Sequence, residues 1–243
     1  MNTRKQLNAI TAIVALMATT IVGCKSSGDN GTSRFIPLQD GVSIELVQTP
    51  KGFWIGKTEV TQAQYKTVMG DNPSEFKGDD LPVESISWND CIAFLEKLNA
   101  LPAVKTSGLT FRIPTDEEWE FASRAGSTER FCKTEDGLEV KDETLPEVAW
   151  MRDNSEGRTH PVGQKKPNAF GLFDMIGNVD EWIAEDYEAI DPDAKGKDYA
   201  RERVTRGGNY RDKSSFCSSG VHGRIAPDHR SNTIGIRLCA AGH

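Results

Sequence analysis

The sequence predicts an α+β domain, and three observations carry that expectation. Three complete helix-start signals fall in the first half of the chain, at Thr61, Ser87 and Thr115. Short apolar pieces suited to strands stand towards both ends, over residues 43–47, 52–55 and 234–239. Between Gly126 and Arg203 the chain is rich in Gly, Pro, Asn and Asp and shows no helical period. Helices gathered early and strands returning late fit α+β packing rather than a βαβ alternation.

At the N-terminus Arg4 and Lys5 precede an uncharged run over residues 7–23, the order of a secretory signal. That run is short and Thr-rich for a membrane-spanning helix, which needs roughly 20 mostly apolar residues. It ends in Ile21-Val22-Gly23-Cys24, which resembles a lipobox, so Cys24 is expected to become the lipidated first residue of the mature chain. Lys25 follows it, and by resemblance to Gram-negative lipoproteins this implies the outer membrane. The expected organisation is a signal peptide over 1–23, a lipidated cysteine and polar tether over 24–34, and one domain over 35–243. The tether is too polar to offset the entropy of ordering it, whereas the domain is long enough to bury a substantial core.

Removing Arg4 and Lys5 with the signal takes the formal charge from -7 to -9, and an acidic mature chain argues against nucleic acid as partner. Cys91, Cys132, Cys217 and Cys239 remain beside Cys24; in an oxidising compartment they are enough for two disulfides, in any of three connectivities. The four histidines lack metal-ligand spacing and read as surface or loop residues.

In the helical half, Thr61 and Gln64 form a capping box, and Gly70 stands where a left-handed C-terminal cap is expected. Ser87 caps a second helix, in which Trp88, Cys91, Leu95 and Leu98 recur at helical spacing. Thr115 begins a third behind Pro114; Asp116, Glu117 and Glu118 face the positive end of the helix dipole, and Gly126 ends it. Trp88, Trp119, Trp150 and Trp182 are expected as core or rim aromatics.

Six segments in order then carry a family resemblance. They are Lys57-Thr58-Glu59-Val60-Thr61 with Tyr65; Leu81-Pro82-Val83 through Ser87-Trp88-Asn89-Asp90; and Phe111-Arg112-Ile113-Pro114-Thr115 through Glu118-Trp119-Glu120. The others are His160-Pro161-Val162-Gly163 with Pro167-Asn168; Gly171-Leu172-Phe173-Asp174-Met175-Ile176-Gly177-Asn178-Val179-Asp180-Glu181-Trp182; and Arg206-Gly207-Gly208-Asn209-Tyr210 ending in Gly235-Ile236-Arg237. Together they resemble the formylglycine-generating enzyme, or sulfatase-modifying factor, family. The resemblance implies a C-type-lectin-like fold with short strands, a few helices and much irregular backbone.

The resemblance also implies a structural calcium ion, bound through the side chains of Asp174 and Glu181 and the carbonyls of Gly177 and Val179. Hard oxygen ligands from a tight loop suit calcium, and a divalent charge would hold together two carboxylates that otherwise repel. The alternative is a turn knitted by Asp and Asn side chains without an ion. Asp180 stands where the family usually has an aromatic, and a second family calcium site does not transfer to residues 147–157.

Active members bind copper through two cysteines, because soft thiolates hold copper(I) in low coordination. Those two positions fall at Asp212 and Cys217, and a carboxylate is too hard an oxygen donor to replace a thiolate. Asn209 stands where active members commonly carry Ser. The family's disulfide positions fall at Leu95 and Ser123, with His222 opposite the latter, while Cys91 and Cys239 lie on neighbouring elements of the fold, placed to pair. The expected protein is a non-catalytic module, lipid-anchored in the cell envelope, binding an envelope protein, peptide or glycan. Its alternative is a copper-dependent oxidase converting a substrate cysteine to formylglycine, with Cys217 catalytic and Asn209 in its pocket. The family's iron-dependent sulfoxide synthase branch needs a further helical domain for which there is no room.

Overall fold

Capping chemistry places the three longer helices where the sequence puts them. In the computed structural model, which describes residues 32–242, α1 spans Gln62–Met69, α2 Trp88–Ala100 and α4 Asp116–Arg124, with Thr61, Ser87 and Thr115 each closing a capping box. Gly70 ends α1 in the left-handed conformation. Helix α4 stops one residue earlier than expected, with Ala125 itself left-handed at φ 48°. Helix α3, Pro102–Ser107, was not legible, because six residues are too few to show a period. A short α5 spans Tyr187–Ile190.

Two sheets hold these helices. The first has the order β1-β2-β3-β9-β4, from Ser33–Pro37, Ser43–Gln48, Trp54–Gly56, Cys239–Gly242 and Leu109–Arg112. The second has the order β7-β6-β5-β8, from His222–Ile225, Arg203–Arg206, Asp180–Asp186 and Ile234–Gly235. Strand β1 takes Ser33 and Arg34 from the expected tether, because their backbone pairs with Val47 and Leu46. The segment expected as a signal peptide and Cys24 lie outside the described residues. Among those described, no helix is long and apolar enough to cross a membrane.

The return segment, expected as one strand, is divided between the sheets. Strand β8 runs parallel to β5, while β9 is the inner partner of β3 and β4. Residues 236–238 cross between them. One face of the first sheet packs Leu46, Phe111, Leu238 and Ala240 against Phe94 and Leu98 of α2. The other face packs Val47 and Ile55 against Trp119 of α4 and Ile183 of β5.

This alternation corrects the expectation for the cysteines. All four described cysteines are buried and free. Cys91 lies in the α2 core with Leu238 and Ala240, whereas Cys239, between those two, points its Sγ at Glu118 of α4, 3.8 Å away. Successive strand side chains leave opposite faces, so Cys91 and Cys239 are on opposite sides of the sheet.

At the crossing, Arg237 is fully buried against Glu181. Its Nε and Nη2 donate to the two carboxylate oxygens at 2.7–3.0 Å. Nη1 donates to the Gly56 carbonyl at 2.9 Å and Nη2 to that of Phe173 at 2.8 Å. The Trp119 indole completes the carboxylate's shell at 2.6 Å. Five parts of the chain meet on one ion pair. Replacing Arg237 by Met would leave Glu181 buried and uncompensated, and breaking such a pair from one side costs about 3–5 kcal/mol. Urea unfolding of Arg237→Met is therefore expected to show a loss of that order; a loss below about 1 kcal/mol would mean the pair is replaceable.

Candidate functional site

The loop entering β5 is built on unusual backbone. Asp174 and Asn178 have φ of 54° and 61°, and Gly177 lies between them at 83°. A Cβ on Gly177 would stand 2.3 Å from the Trp150 carbonyl, so only glycine fits. Main-chain bonds from Asn178 to Trp150 (2.8 Å), from Gly177 to Gly207 (3.1 Å) and from Tyr210 to Asn178 (3.0 Å) fix the loop. Glu59, buried before α1, receives the Asn178 amide at 2.7 Å on one oxygen and the Val179 N–H at 3.1 Å on the other.

Asp174 is buried, with Oδ2 accepting from Gly163 N at 2.6 Å and Oδ1 without a hydrogen-bond partner among the described residues. Burial pushes its carboxyl up to about 6. Burial, then the charges of Asp174 and Glu181, raise Glu59 well above the usual carboxylate range. An orphaned, buried carboxylate oxygen suits a hard cation. Of the expected ligands, Asp174 fits and Gly177 and Val179 share its loop. Glu181 differs: both of its oxygens are engaged, by two N–H groups of Arg237 and the Trp119 indole. The acid the sequence did not single out for this site is Glu59, which lies more than a hundred residues away and has no local spacing to betray it.

A second group surrounds Asn209. Its Nδ2 donates to Asp180 Oδ2 and to Asp212 Oδ2, each at 2.7 Å, and its backbone N–H reaches the same Asp212 oxygen at 3.2 Å. Asp180 and Asp212 are thus held on one amide. Burial, with Asp212 nearby, pushes Asp180 up to about 7. Cys217 is fully buried behind them, its Sγ 3.9 Å from the Asn209 carbonyl. Gly208 makes room for it: at φ 75°, a Cβ there would meet that sulfur at 3.0 Å. Burial first, then the charges of Asp212 and Asp180, drives the thiol up to about 12, so it is protonated at neutral pH. Phe216 beside it is exposed. Asn209, Asp212 and Cys217 come together as expected, and Asp180 joins them.

A third group was missed. Asp116, Glu120 and His222 present ligand-type atoms within 4.8 Å of one another. The two acids are one turn apart on α4, but His222 arrives from β7, too distant in sequence to read. Arg206, itself buried, forms ion pairs with both acids, so the group is already charge-compensated. His160, expected at the surface or in a loop, is half-buried and stacks on Trp150 with ring centres 3.7 Å apart.

With this geometry in view, the sulfatase-modifying factor enzyme 1-like domain matches residues 29–241. Among curated proteins, the chain is 29% identical to the chaperone protein LppX of Paenibacillus barcinonensis over 71% of this chain and 80% of that protein. It is 31% identical to the inactive C-alpha-formylglycine-generating enzyme 2 of Bos taurus over 67% of this chain, spanning about half (51%) of that protein's length. Formylglycine-generating enzymes are also among its relatives. Of solved structures, Treponema denticola variable protein 1 superposes with a TM-score of 0.63 at 27% identity, covering 86% of this chain and 92% of that one. These neighbours share the C-type-lectin-like fold expected from the sequence.

The burial of the thiols has a direct readout. In the native protein at pH 8, Cys91, Cys132, Cys217 and Cys239 are expected to resist a maleimide, and all four to react after unfolding in urea. Rapid native labelling of Cys217, located by peptide mass spectrometry, would contradict the enclosed site.

Proposed function

The chain belongs to the sulfatase-modifying factor enzyme 1-like family, and from that premise we propose that it is a non-catalytic member, an envelope-anchored module that binds a protein or peptide partner. The observation that carries this reading is the pair of positions where active members hold copper. One is the carboxylate of Asp212, bound to the Asn209 amide, and the other is a buried thiol raised to about 12. Copper(I) is selected by paired soft thiolates, and here a hard carboxylate stands in place of one of the two sulfurs. Likeness to an enzyme described as inactive and to one described as a chaperone supports the same reading. Loops on a rigid scaffold are where binding normally sits; here Phe216, whose backbone carbonyl lies against Gly208, exposes its side chain.

The anchor in this reading is lipid on Cys24, holding the domain at the outer membrane through the polar segment ahead of β1. A calcium ion at Asp174, with the Gly177 and Val179 carbonyls, would stabilise the loop that supports this surface.

Two measurements test the reading. Titration of the full chain with copper(I) against a chromophoric chelator is expected to show no tight stoichiometric site, and a Cys-x-Pro-x-Arg peptide is expected to keep its thiol mass. Tight cuprous binding, or turnover abolished by Cys217→Ser, would establish the oxidase instead. Cys24→Ser is expected to move the protein from the membrane to the soluble fraction; unchanged fractionation would remove the lipid anchor.

A further inference from the structure

Building on the calcium reading above, we propose that the acidic partner of Asp174 at the ion is Glu59, and that Glu181 is instead withdrawn into the core by Arg237. The two carboxylates differ in how many acceptor positions they have left. A carboxylate offers about four. Glu181 meets three N–H groups on its two oxygens, Arg237 Nε, shared between both, Arg237 Nη2 and the Trp119 indole. Glu59 uses one on each oxygen, for Val179 N and the Asn178 amide, and keeps the other two.

Charge leads to the same residue. Glu59, Asp174 and Glu181 are each no more than 2% exposed, and the buried guanidinium facing them is Arg237 alone among the described residues. Arg237 balances one of the three acids. The other two carboxylates, once ionised, match one divalent cation, which would supply the counter-charge that burial demands. Lys165 lies close enough to Asp174 to feel its charge, but its ammonium is committed to the Trp150 face at 3.8 Å and to the Pro146 carbonyl at 2.7 Å. The independent sign of a ligand is Asp174 Oδ1, enclosed and unbonded.

Glu59 is also held rigidly for the task. Its neighbour Val60 is pinned on both sides by main-chain bonds, N–H to the Ile236 carbonyl at 2.9 Å and carbonyl to the Val83 N–H at 2.8 Å. Its two donors, Asn178 and Val179, belong to the loop that bears Asp174, so the acid is fastened to the site it would serve. Calcium takes six to eight oxygens; two carboxylates and the loop's carbonyls form a core that water can complete.

The test is thermal unfolding and calcium calorimetry on the full chain in detergent, comparing wild type, Glu59→Gln and Glu181→Gln. Wild type is expected to melt higher in 1 mM calcium than in chelator. Glu59→Gln should bind calcium at least tenfold more weakly than wild type and lose the calcium-dependent shift. Glu181→Gln should melt lower throughout and keep that shift. If wild type neither binds calcium nor shifts, the calcium reading itself falls. If wild type binds and Glu59→Gln binds equally well, or Glu181→Gln alone loses binding, the assignment to Glu59 falls and calcium stands. Should Glu59→Gln not fold, Glu59→Asp replaces it: the shortened acid is expected to weaken binding at least threefold, and unchanged affinity overturns the assignment.

Discussion

The fully buried pair between Glu181 and Arg237 is the interaction on which the rest of this structure depends. Removing two charges from water is expensive, and their attraction offsets that cost only where geometry and extra hydrogen bonds satisfy the remaining donors and acceptors. Here the Gly56 and Phe173 carbonyls and the Trp119 indole do so. Because those groups come from β3, from the loop before Asp174 and from α4, both sheets and a helix must be in register before the pair forms. A pair of this kind adds little net stability compared with apolar packing, but it specifies one arrangement of the strands, and it leaves Glu181 no free oxygen.

That commitment shapes the neighbouring loop. Asp174 and Glu59 are left buried, without a guanidinium of their own and with only partial hydrogen bonding. Left-handed backbone at Asp174, Gly177 and Asn178 turns the loop tightly enough to bond Trp150, Gly207 and Tyr210 in succession. Much irregular backbone in this domain is thereby satisfied without ladders. The same loop delivers Asp180 to Asn209 and so joins the ion region to the surface where family enzymes do their chemistry.

At that surface the family's fold carries a different set of side chains. An amide bridges two acids there and one thiol is enclosed behind it, so the two matched positions hold one sulfur and one carboxylate. Fold does not determine function; the grafted site does. The presence of both formylglycine-generating enzymes and an inactive relative among similar proteins agrees with that principle.

The sequence by itself determined the family, the α+β class and the three capped helices, because caps and apolar periods are written in residues three or four apart. It also located Asn209, Asp212 and Cys217 together, since short separations limit how far they can lie from one another. The division of residues 234–242 between two sheets, the opposite facing of Cys91 and Cys239, and the insertion of Arg206 between Asp116 and Glu120 were decided by the tertiary structure. So was the pairing of Arg237 with Glu181 and not with Glu59. Which buried acid receives a guanidinium is settled by contacts spanning 56 to 120 residues. Local spacing carries no record of charge compensation across such separations, because it arises only when the core closes and excludes water.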